Sequence, residues 1–196
     1  MPALRPQGIP VEAQTTHVHL SERHTVLLFG NHFSPSILRP RPYLQGQFIY
    51  REDVRAVGPK GMLPRVQIFG PVWEKTQMEL TDADAELLGL KPPRRDSGEL
   101  SRAASVKIQG PAGVVELTSA VIVPRPHLHL SPDDAASLGA KNGDRVVVCL
   151  EHDPREVFKD VAVRVHPSYQ SVFHVALGDA SPAWLHPGIH IQLVHR

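Results

Sequence analysis

Residues 131–141, Ser-Pro-Asp-Asp-Ala-Ala-Ser-Leu-Gly-Ala-Lys, repeat the pattern of residues 81–91, Thr-Asp-Ala-Asp-Ala-Glu-Leu-Leu-Gly-Leu-Lys. Each copy starts with a hydroxyl residue that can cap a helix and continues with acidic residues that favour a first turn. Each copy then reaches a glycine that suits a C-terminal cap. The pattern predicts short helices at residues 82–88 and 133–138, and a third is predicted at 23–29.

Short runs rich in valine and isoleucine dominate the rest of the chain and predict strands. They cover residues 15–20, 47–50, 54–57, 65–69, 77–80, 106–109, 114–117, 120–123, 145–150, 162–165, 171–175 and 189–194. Two Gly-Pro-x-Gly sequences, residues 58–61 and 110–113, are predicted hairpin turns between strands. Residues 31–46 and 91–102 are predicted loops. The pattern favours a mainly β fold of two small β-barrels capped by short α-helices and related by a divergent internal repeat.

Composition excludes several function classes. The chain of 196 residues is 41% hydrophobic and has a net charge of +1, so it lacks the basic footprint of a nucleic-acid-binding protein. No apolar run approaches the roughly 18–20 residues of a membrane span. Cys149 is the single cysteine and lies in an apolar run, which indicates a buried structural thiol and excludes an internal disulfide or a thiolate zinc cluster. The expected compartment is the cytoplasm.

One five-residue motif occurs twice, as His17-Val18-His19-Leu20-Ser21 and His127-Leu128-His129-Leu130-Ser131. Residues i and i+2 of a strand point to the same face, roughly 7 Å apart, so each pair of imidazoles can bind one metal ion. A single His-x-His is expected by chance in a chain with 12 histidines, whereas two copies that share Leu-Ser are not. The motif predicts a histidine-rich divalent-metal site.

Each histidine pair needs a further ligand from elsewhere in the chain. Glu79 interrupts an apolar strand and His174 lies inside one, so both are candidates. A solvated strand glutamate and a half-exposed histidine are the alternatives, and spacing does not decide between them. Lys60 and Arg65 frame a glycine-rich turn and could meet an anionic ligand, or could be solvated surface charges.

Several motifs in a fixed order resemble those of a known family, the phosphotransacylases of bacterial microcompartments, also called phosphate propanoyltransferases of the propanediol-utilisation type. The similarity runs from about residue 12 to the C-terminus. Besides the two histidine motifs, it rests on Gln45-Gly46-Gln47-Phe48, Val57-Gly58-Pro59-Lys60-Gly61, Gly70-Pro71, Thr76-Gln77-Met78-Glu79, Arg95-Asp96-Ser97-Gly98-Glu99-Leu100 and Val163-Arg164-Val165-His166-Pro167 leading to His174.

The resemblance implies two β-barrels with the metal site between them. Residues 1–16, the N-terminal segment with the first strand, would join the C-terminal barrel. Residues 17–124 would form the central barrel and residues 125–196 the C-terminal barrel.

The resemblance also implies two Zn²⁺ ions and a reaction. One ion would be held by His17, His19 and Glu79, and the other by His127, His129 and His174. The reaction would be reversible transfer of a short acyl group, such as propanoyl or acetyl, between coenzyme A and inorganic phosphate. Lys60 and Arg65 match positions that would face the coenzyme A phosphates. A setting inside a microcompartment follows from the same resemblance, while shell association and a homo-oligomer stay open.

Three residues depart from the family pattern. Thr16 and Pro126 precede the histidine pairs where the family has arginine, and Trp73 occupies the expected phosphate-binding arginine position, so the catalytic residue itself is not assigned. Two alternatives therefore remain beside an active transferase. One is a metal-binding paralogue with a structural or regulatory role, and the other is a zinc hydrolase with a different substrate.

Overall fold

The computed structural model describes residues 8–179 and 190–194, and this part of the chain is mainly β, as predicted. Its three α-helices are α1 (Glu22–Phe29), α2 (Asp82–Leu88) and α3 (Pro132–Leu138). Its strands are β1 (Ile9–Gln14), β2 (His17–His19), β3 (Ile37–Pro40), β4 (Phe48–Val57), β5 (Met62–Gly70), β6 (Gln77–Glu79), β7 (Arg94–Arg95), β8 (Ala104–Gln109), β9 (Val114–Pro124), β10 (His127–Leu130), β11 (Arg145–Leu150), β12 (Val157–Val165), β13 (Val172–Ala176) and β14 (His190–Val194).

One compact unit comprises the described residues of Met1–Gln14, Pro42–Gln45 and Arg125–Arg196. Its six strands form a closed barrel in the order β1-β13-β10-β12-β11-β14, with β14 pairing back to β1. Alternate residues of these strands fill the barrel with an apolar core that includes Leu128, Leu130 and Phe173, each fully buried. The predicted strand at residues 189–194 starts here at His190, and residue 189 lies outside the described residues.

The other unit comprises Thr15–Arg41 and Gly46–Pro124. Its strands also close into a six-stranded barrel, in the order β4-β5-β2-β6-β9-β8, because β8 pairs with both β9 and β4. Strand β3 extends the sheet beside β4, and the two-residue β7 pairs with β9. The prediction of two small barrels is therefore confirmed.

The predicted helices are present and capped as the repeat indicates. The hydroxyl oxygens of Thr81 and Ser131 accept hydrogen bonds from the backbone N–H of Asp84 and Asp134, at 3.2 and 3.1 Å. Each helix ends at a glycine in the left-handed region, where a side chain would be strained. Helix α2 has the predicted bounds, and α3 starts one residue earlier than predicted.

The two Gly-Pro-x-Gly turns connect β4 to β5 and β8 to β9, and each packs on the C-terminal end of a helix. The backbone N–H of Lys60 donates to the Leu88 carbonyl of α2 at 3.1 Å. The equivalent N–H of Ala112 donates to the Leu28 carbonyl of α1 at 2.9 Å. Helix α1 precedes the β4–β5 hairpin and α2 precedes the β8–β9 hairpin, so each turn packs on the helix that precedes the other hairpin. These contacts tie the two parts of this barrel together.

Within the described residues, no helix has the length and apolar character needed to span a membrane.

Candidate metal centres

The first candidate centre consists of two histidines and a glutamate on neighbouring strands. His17 and His19 occupy alternate positions of β2, and Glu79 lies directly opposite His17 across the antiparallel pair of β2 and β6. The three residues are 1%, 3% and 3% exposed. One nitrogen or oxygen atom from each lies within 4.8 Å of the others. The two-residue period of a strand thus brings both imidazoles and the carboxylate to one point.

The imidazole of His17 is held in one tautomer by its own backbone neighbourhood. Its Nδ1 lies 2.8 Å from the carbonyl oxygen of Thr15. A carbonyl oxygen only accepts, so in the neutral ring Nδ1 carries the proton and Nε2 presents a lone pair. That Nε2 lies 3.5 Å from Oε2 of Glu79. An acceptor nitrogen beside a carboxylate oxygen is an arrangement that suits a cation.

The carboxylate of Glu79 is oriented by a buried glutamine. The side-chain amide of Gln77 donates to Oε1 of Glu79 at 2.6 Å and to the Ser97 hydroxyl at 2.8 Å. The carbonyl oxygen of the same amide accepts from the backbone N–H of Gly98 at 2.8 Å. Because Oε1 is held by Gln77, Oε2 is the oxygen that faces His17. Gln77 is therefore a positioning residue.

Two aromatic rings pack on the histidines of this centre. The ring of Phe69 stacks on His17, with centroids 4.1 Å apart and planes inclined by 16°. The indole of Trp73 stacks on His19 at 3.6 Å and 10°. The backbone N–H of Trp73 donates to the Leu20 carbonyl at 2.9 Å, which fixes the tryptophan beside the strand. These rings restrict rotation of both imidazoles and exclude water from their faces.

Burial keeps His19 in its neutral form. Loss of solvation lowers the pKa of His19 well below its ordinary value of 6.5, and the nearby charges of His17 and Arg41 lower it further, whereas the Phe69 backbone acts in the opposite direction. Its Nδ1 atom is buried and makes no hydrogen bond within the described residues. A neutral imidazole with such a nitrogen is ready to act as a ligand.

The second candidate centre has three histidines. His127 and His129 alternate along β10, and His174 lies opposite His127 across the antiparallel pair of β10 and β13. The three residues are 5%, 4% and 1% exposed, and their ligand atoms also lie within 4.8 Å of one another. The ring of Tyr169 meets His129 edge-on at 4.3 Å.

Hydrogen bonds around the second centre determine which nitrogens present lone pairs. The Nδ1 of His127 donates to the Arg125 carbonyl at 3.0 Å, two residues earlier, as His17 does in the first centre. In His174, Nδ1 accepts from the Gln14 side-chain amide at 2.9 Å, and Nε2 lies 2.6 Å from Oε2 of Glu12. In the neutral tautomer of His174 that carries its proton on Nε2, Nδ1 of His174 and Nε2 of His127 both present lone pairs, and these two nitrogens face each other at 3.3 Å.

The pKa of His127 is also lowered well below 6.5, first by burial and then by the charges of Arg164, His174 and His129. The ring is consequently neutral at pH 7. Both centres fit a divalent ion of the zinc type, since each offers three buried nitrogen or carboxylate donors that are oriented by hydrogen bonds from neighbouring residues. Three protein donors leave a fourth tetrahedral position for a substrate atom.

Lys60 and Arg65 belong to the same unit as the first centre but are not brought into it. Lys60 is in the turn between β4 and β5, and its aliphatic stem packs over Gly89 at the end of α2. Arg65 is 79% exposed and pairs with Asp53 at 2.7 Å. Neither side chain contacts His17, His19 or Glu79 within the described part of the chain. Their predicted contact with coenzyme A phosphates remains a prediction.

The residues that precede the histidine pairs have local roles. The Thr16 hydroxyl donates to Oδ2 of Asp84 and accepts the backbone N–H of Thr81 at 3.1 Å, so it holds the start of α2. Pro126 is half-buried, and the hydrogen bond that orients His127 comes from the backbone of Arg125, which needs no side chain at residue 126.

Sequence reasoning missed Arg41, which is buried at 7% exposure. Its guanidinium carbon lies 4.8 Å from the centre of the Phe69 ring. It lies in the proline-rich stretch 31–46, whose lack of periodicity indicated only a loop. Gln77 was also missed as a positioning residue, although its place two residues before Glu79 on one strand face was a usable signal.

Comparison with known proteins identifies relatives that cover nearly the whole chain. The family described as phosphate propanoyltransferase matches residues 10–186. The phosphate propanoyltransferase of Thermotoga maritima is 38% identical over 190 residues, which are 95% of this chain and 89% of the relative. That of Alkaliphilus metalliredigens is 37% identical over 183 residues, 93% of this chain and 86% of the relative. That of Salmonella typhimurium is 36% identical over 182 residues, 92% and 85% of the two chains.

Proposed function

This chain belongs to the phosphate propanoyltransferase family and is a phosphate acyltransferase, and from that premise we propose that its catalysis depends on a divalent metal ion at each histidine triad. The acyl group is short, such as propanoyl or acetyl, and it moves between coenzyme A and inorganic phosphate. The observation that carries the proposal is the pair of acceptor nitrogens, one each from His127 and His174, that face each other at 3.3 Å.

Two lone pairs at that distance repel each other unless a cation or a proton lies between them. A proton on His127 is disfavoured, because burial holds the pKa of that ring well below its ordinary value of 6.5. A zinc ion is the cation that three imidazoles favour. We therefore assign one ion to His127, His129 and His174 and the other to His17, His19 and Glu79.

The reaction joins a phosphate oxygen to the thioester carbonyl carbon and breaks the carbon–sulfur bond. The electron pair of that bond stays on the coenzyme A sulfur, which takes up the proton that hydrogen phosphate loses, and the products are an acyl phosphate and free thiol. Bound divalent ions would neutralise charge on the phosphate and polarise the acyl carbonyl. The buried triads and the rings of Phe69 and Trp73 hold the ligand atoms in place and exclude water, which would otherwise hydrolyse the acyl phosphate.

The remainder of the substrate extends beyond the triads. We propose that Lys60 and Arg65 contact phosphate groups of coenzyme A, because both cations flank the same turn and Arg65 is 79% exposed. An exposed cation binds an anion weakly, so each is expected to contribute a few-fold to coenzyme A affinity. A setting inside a bacterial microcompartment belongs to the same proposal. Recovery of the protein outside sealed compartments in a host that makes them would contradict it.

The test is free-thiol release from propanoyl- or acetyl-coenzyme A by purified protein, with and without phosphate and with and without chelator. We expect release that requires phosphate, stops with chelator and returns with zinc. Release without phosphate would instead favour the hydrolase, and no release under any condition would favour the non-catalytic paralogue. Trp73 at the expected arginine position is the observation that keeps both alternatives in the test.

Metal content gives a second measurement. His129→Ala and His19→Ala should each lower bound zinc by about one equivalent, because three-ligand sites rarely survive loss of a ligand. His152→Ala and His32→Ala are matched controls, since both histidines are exposed. Equal metal content in all four variants would refute the assignment of the sites.

A further inference from the structure

The strand pair that assembles the first candidate centre is short. Strands β2 and β6 have three residues each, and their antiparallel pairing places Glu79 opposite His17. On its other side β2 pairs with β5 through two residues, and β6 pairs with β9 through two. A shift of one residue turns every side chain of a strand to the other face, so the register of β2 against β6 decides whether the three ligands meet.

Two buried threonines, the threonine clamp, close this strand pair at both ends. Thr16 lies directly before β2, and its hydroxyl oxygen accepts the backbone N–H of Thr81, just beyond the end of β6, at 3.1 Å. Thr76 lies directly before β6, and its hydroxyl oxygen accepts the backbone N–H of Ser21, just beyond the end of β2, at 2.8 Å. Each contact therefore joins the start of one ligand-bearing strand to the end of the other.

The same two hydroxyl groups reach the first turns of helices α2 and α1. The Thr16 hydroxyl donates to Oδ2 of Asp84, the third residue of α2. The Thr76 hydroxyl oxygen lies 2.8 Å from Nδ1 of His24, the third residue of α1. Both ends of the strand pair thus carry the same arrangement, in which a strand is tied to its partner and to a capped helix.

Each clamp residue is also next in the chain to a group that orients a ligand. The carbonyl oxygen of Thr15, before the first clamp residue, lies 2.8 Å from Nδ1 of His17. The side-chain amide of Gln77, after the second clamp residue, donates to Glu79 at 2.6 Å. Fixing the backbone at the clamp therefore fixes the groups that set the tautomer of His17 and the direction of the Glu79 carboxylate.

We propose that Thr16 and Thr76 are positioning residues for the first metal ion and hold its three ligands in the geometry that binds zinc. The inference rests on the proposed function, because the ion belongs to it. Without a clamp hydroxyl, the buried N–H of Ser21 or Thr81 loses its acceptor, and the strand end is free to leave its register. Zinc then binds only the fraction of molecules in which the ligands still meet, so its apparent affinity falls.

The experiment compares wild-type protein with T16V, T76V, T16S, T76S and T118V. Valine keeps the branched shape of threonine but removes the hydroxyl, whereas serine keeps the hydroxyl. Thr118 is an exposed threonine of β9 in the same unit and serves as the matched control.

Stepwise chelator titration of the zinc-loaded protein measures the affinity of each centre, and E79Q identifies the step that belongs to the first centre. We expect T16V and T76V each to weaken zinc binding at the first centre about 10-fold, in the range for residues that support metal ligands. The second centre should bind zinc as in wild type in all variants. The serine variants and T118V should match wild type at both centres.

Urea unfolding with zinc and after zinc removal separates positioning from a merely structural role. A clamp that only stabilises the starts of the helices would lower the free energy of unfolding equally in both states and leave zinc affinity unchanged, which would overturn the inference. Equal weakening at both centres, or serine variants that bind zinc as weakly as the valine variants, would also overturn it.

If T76V does not fold, T16V and T76S decide. A T16V protein with wild-type zinc affinity, or a T76S protein with weakened affinity, would contradict the clamp. A wild-type protein that binds two zinc ions but transfers no acyl group would refute the proposed function, while the zinc affinities of the variants still test the clamp. A wild-type protein that binds no zinc would refute both.

Discussion

Nε2 of His127 and Nδ1 of His174 face each other across two antiparallel strands at 3.3 Å. The Arg125 carbonyl sets the tautomer of the first ring, while the Gln14 amide and the Glu12 carboxylate lie against the two nitrogens of the second ring. The two donors are thus prepared by neighbours that do not themselves belong to the triad. Metal affinity at this centre should respond to those neighbours as well as to the ligands.

Glu12→Gln tests this dependence. Oε2 of Glu12 lies 2.6 Å from Nε2 of His174, and its negative charge makes that ring a stronger electron donor. Glutamine keeps the size of the side chain but has no charge. We expect zinc affinity at the second centre to fall about 10- to 100-fold, the usual effect of altering a carboxylate that supports a metal-binding histidine. Chelator competition on the purified protein measures it.

Glu156→Gln is the control for Glu12→Gln, since Glu156 is an exposed carboxylate of the same unit. Its zinc affinity should equal that of wild type. Equal affinities in both variants would show that Glu12 does not support the centre.

Gln77→Leu tests the first centre in the same way. The leucine keeps most of the side-chain volume but removes the amide that donates to Glu79 and to Ser97. Glu79 then loses the contact that directs Oε2 towards His17, so zinc at this centre should bind about 10- to 100-fold more weakly. The second centre should keep its zinc, because its ligands lie on other strands, β10 and β13.

The measurement for Gln77→Leu is stepwise zinc release during chelator titration. Glu79→Gln provides the reference, since it replaces the proposed ligand itself. A Gln77→Leu protein that releases both ions as wild type does would contradict the positioning role.

The sequence predicts those features of the fold that depend on local patterns. Helix α2 has the predicted bounds because Thr81 and Gly89 cap it with short-range contacts. The His-x-His pairs lie on strands and face one point because strand alternation is local. Both turns at residues 58–61 and 110–113 are hairpin turns, as predicted.

The features that were missed depend on contacts between distant residues. Strand β1 contains Pro10 and has little apolar alternation, so no local pattern indicates it, although the resemblance implies a first strand within residues 1–16; it pairs with β13 and β14 and so closes a barrel. The predicted strands 47–50 and 54–57 are one strand, β4, because its pairing with β5 continues through irregular register. Burial of Arg41 depends on Phe69, which is 28 residues away in sequence, and no local pattern carries that information.

Gly58→Ala and Gly110→Ala test the contacts between turns and helices. An alanine Cβ would lie 2.2 Å from the Leu88 carbonyl oxygen at residue 58 and 2.4 Å from the Leu28 carbonyl oxygen at residue 110. Backbone atoms cannot yield as side chains do, so each change should lower the free energy of unfolding by about 1–3 kcal/mol. Urea unfolding measures this.

Gly178→Ala is the matched control for the glycine variants, because a Cβ at that position would meet nothing within 4 Å. Its stability should stay within about 0.5 kcal/mol of wild type. If all three variants are equally stable, the turns do not pack on the helices as described.

The final prediction concerns pH and chelator-treated protein. Burial, with help from neighbouring charges, holds the pKa of His19 and His127 below 6.5 in the folded state. Above pH 6.5 both rings are neutral in folded and unfolded chains, so they add no pH dependence. Below pH 6.5 both imidazoles bind protons in the unfolded chain but stay neutral in the folded chain, so the free energy of unfolding falls by up to about 1.4 kcal/mol per pH unit for each ring.

Urea unfolding between pH 7.5 and 5.5 should show this fall in stability. A double variant with His19→Gln and His127→Gln should show a shallower fall. The control is a double variant with His32→Gln and His152→Gln, because both histidines are exposed, and its stability should depend on pH as in wild type. A wild-type free energy of unfolding that is constant or rises as pH falls would contradict the neutral state of the His19 and His127 rings.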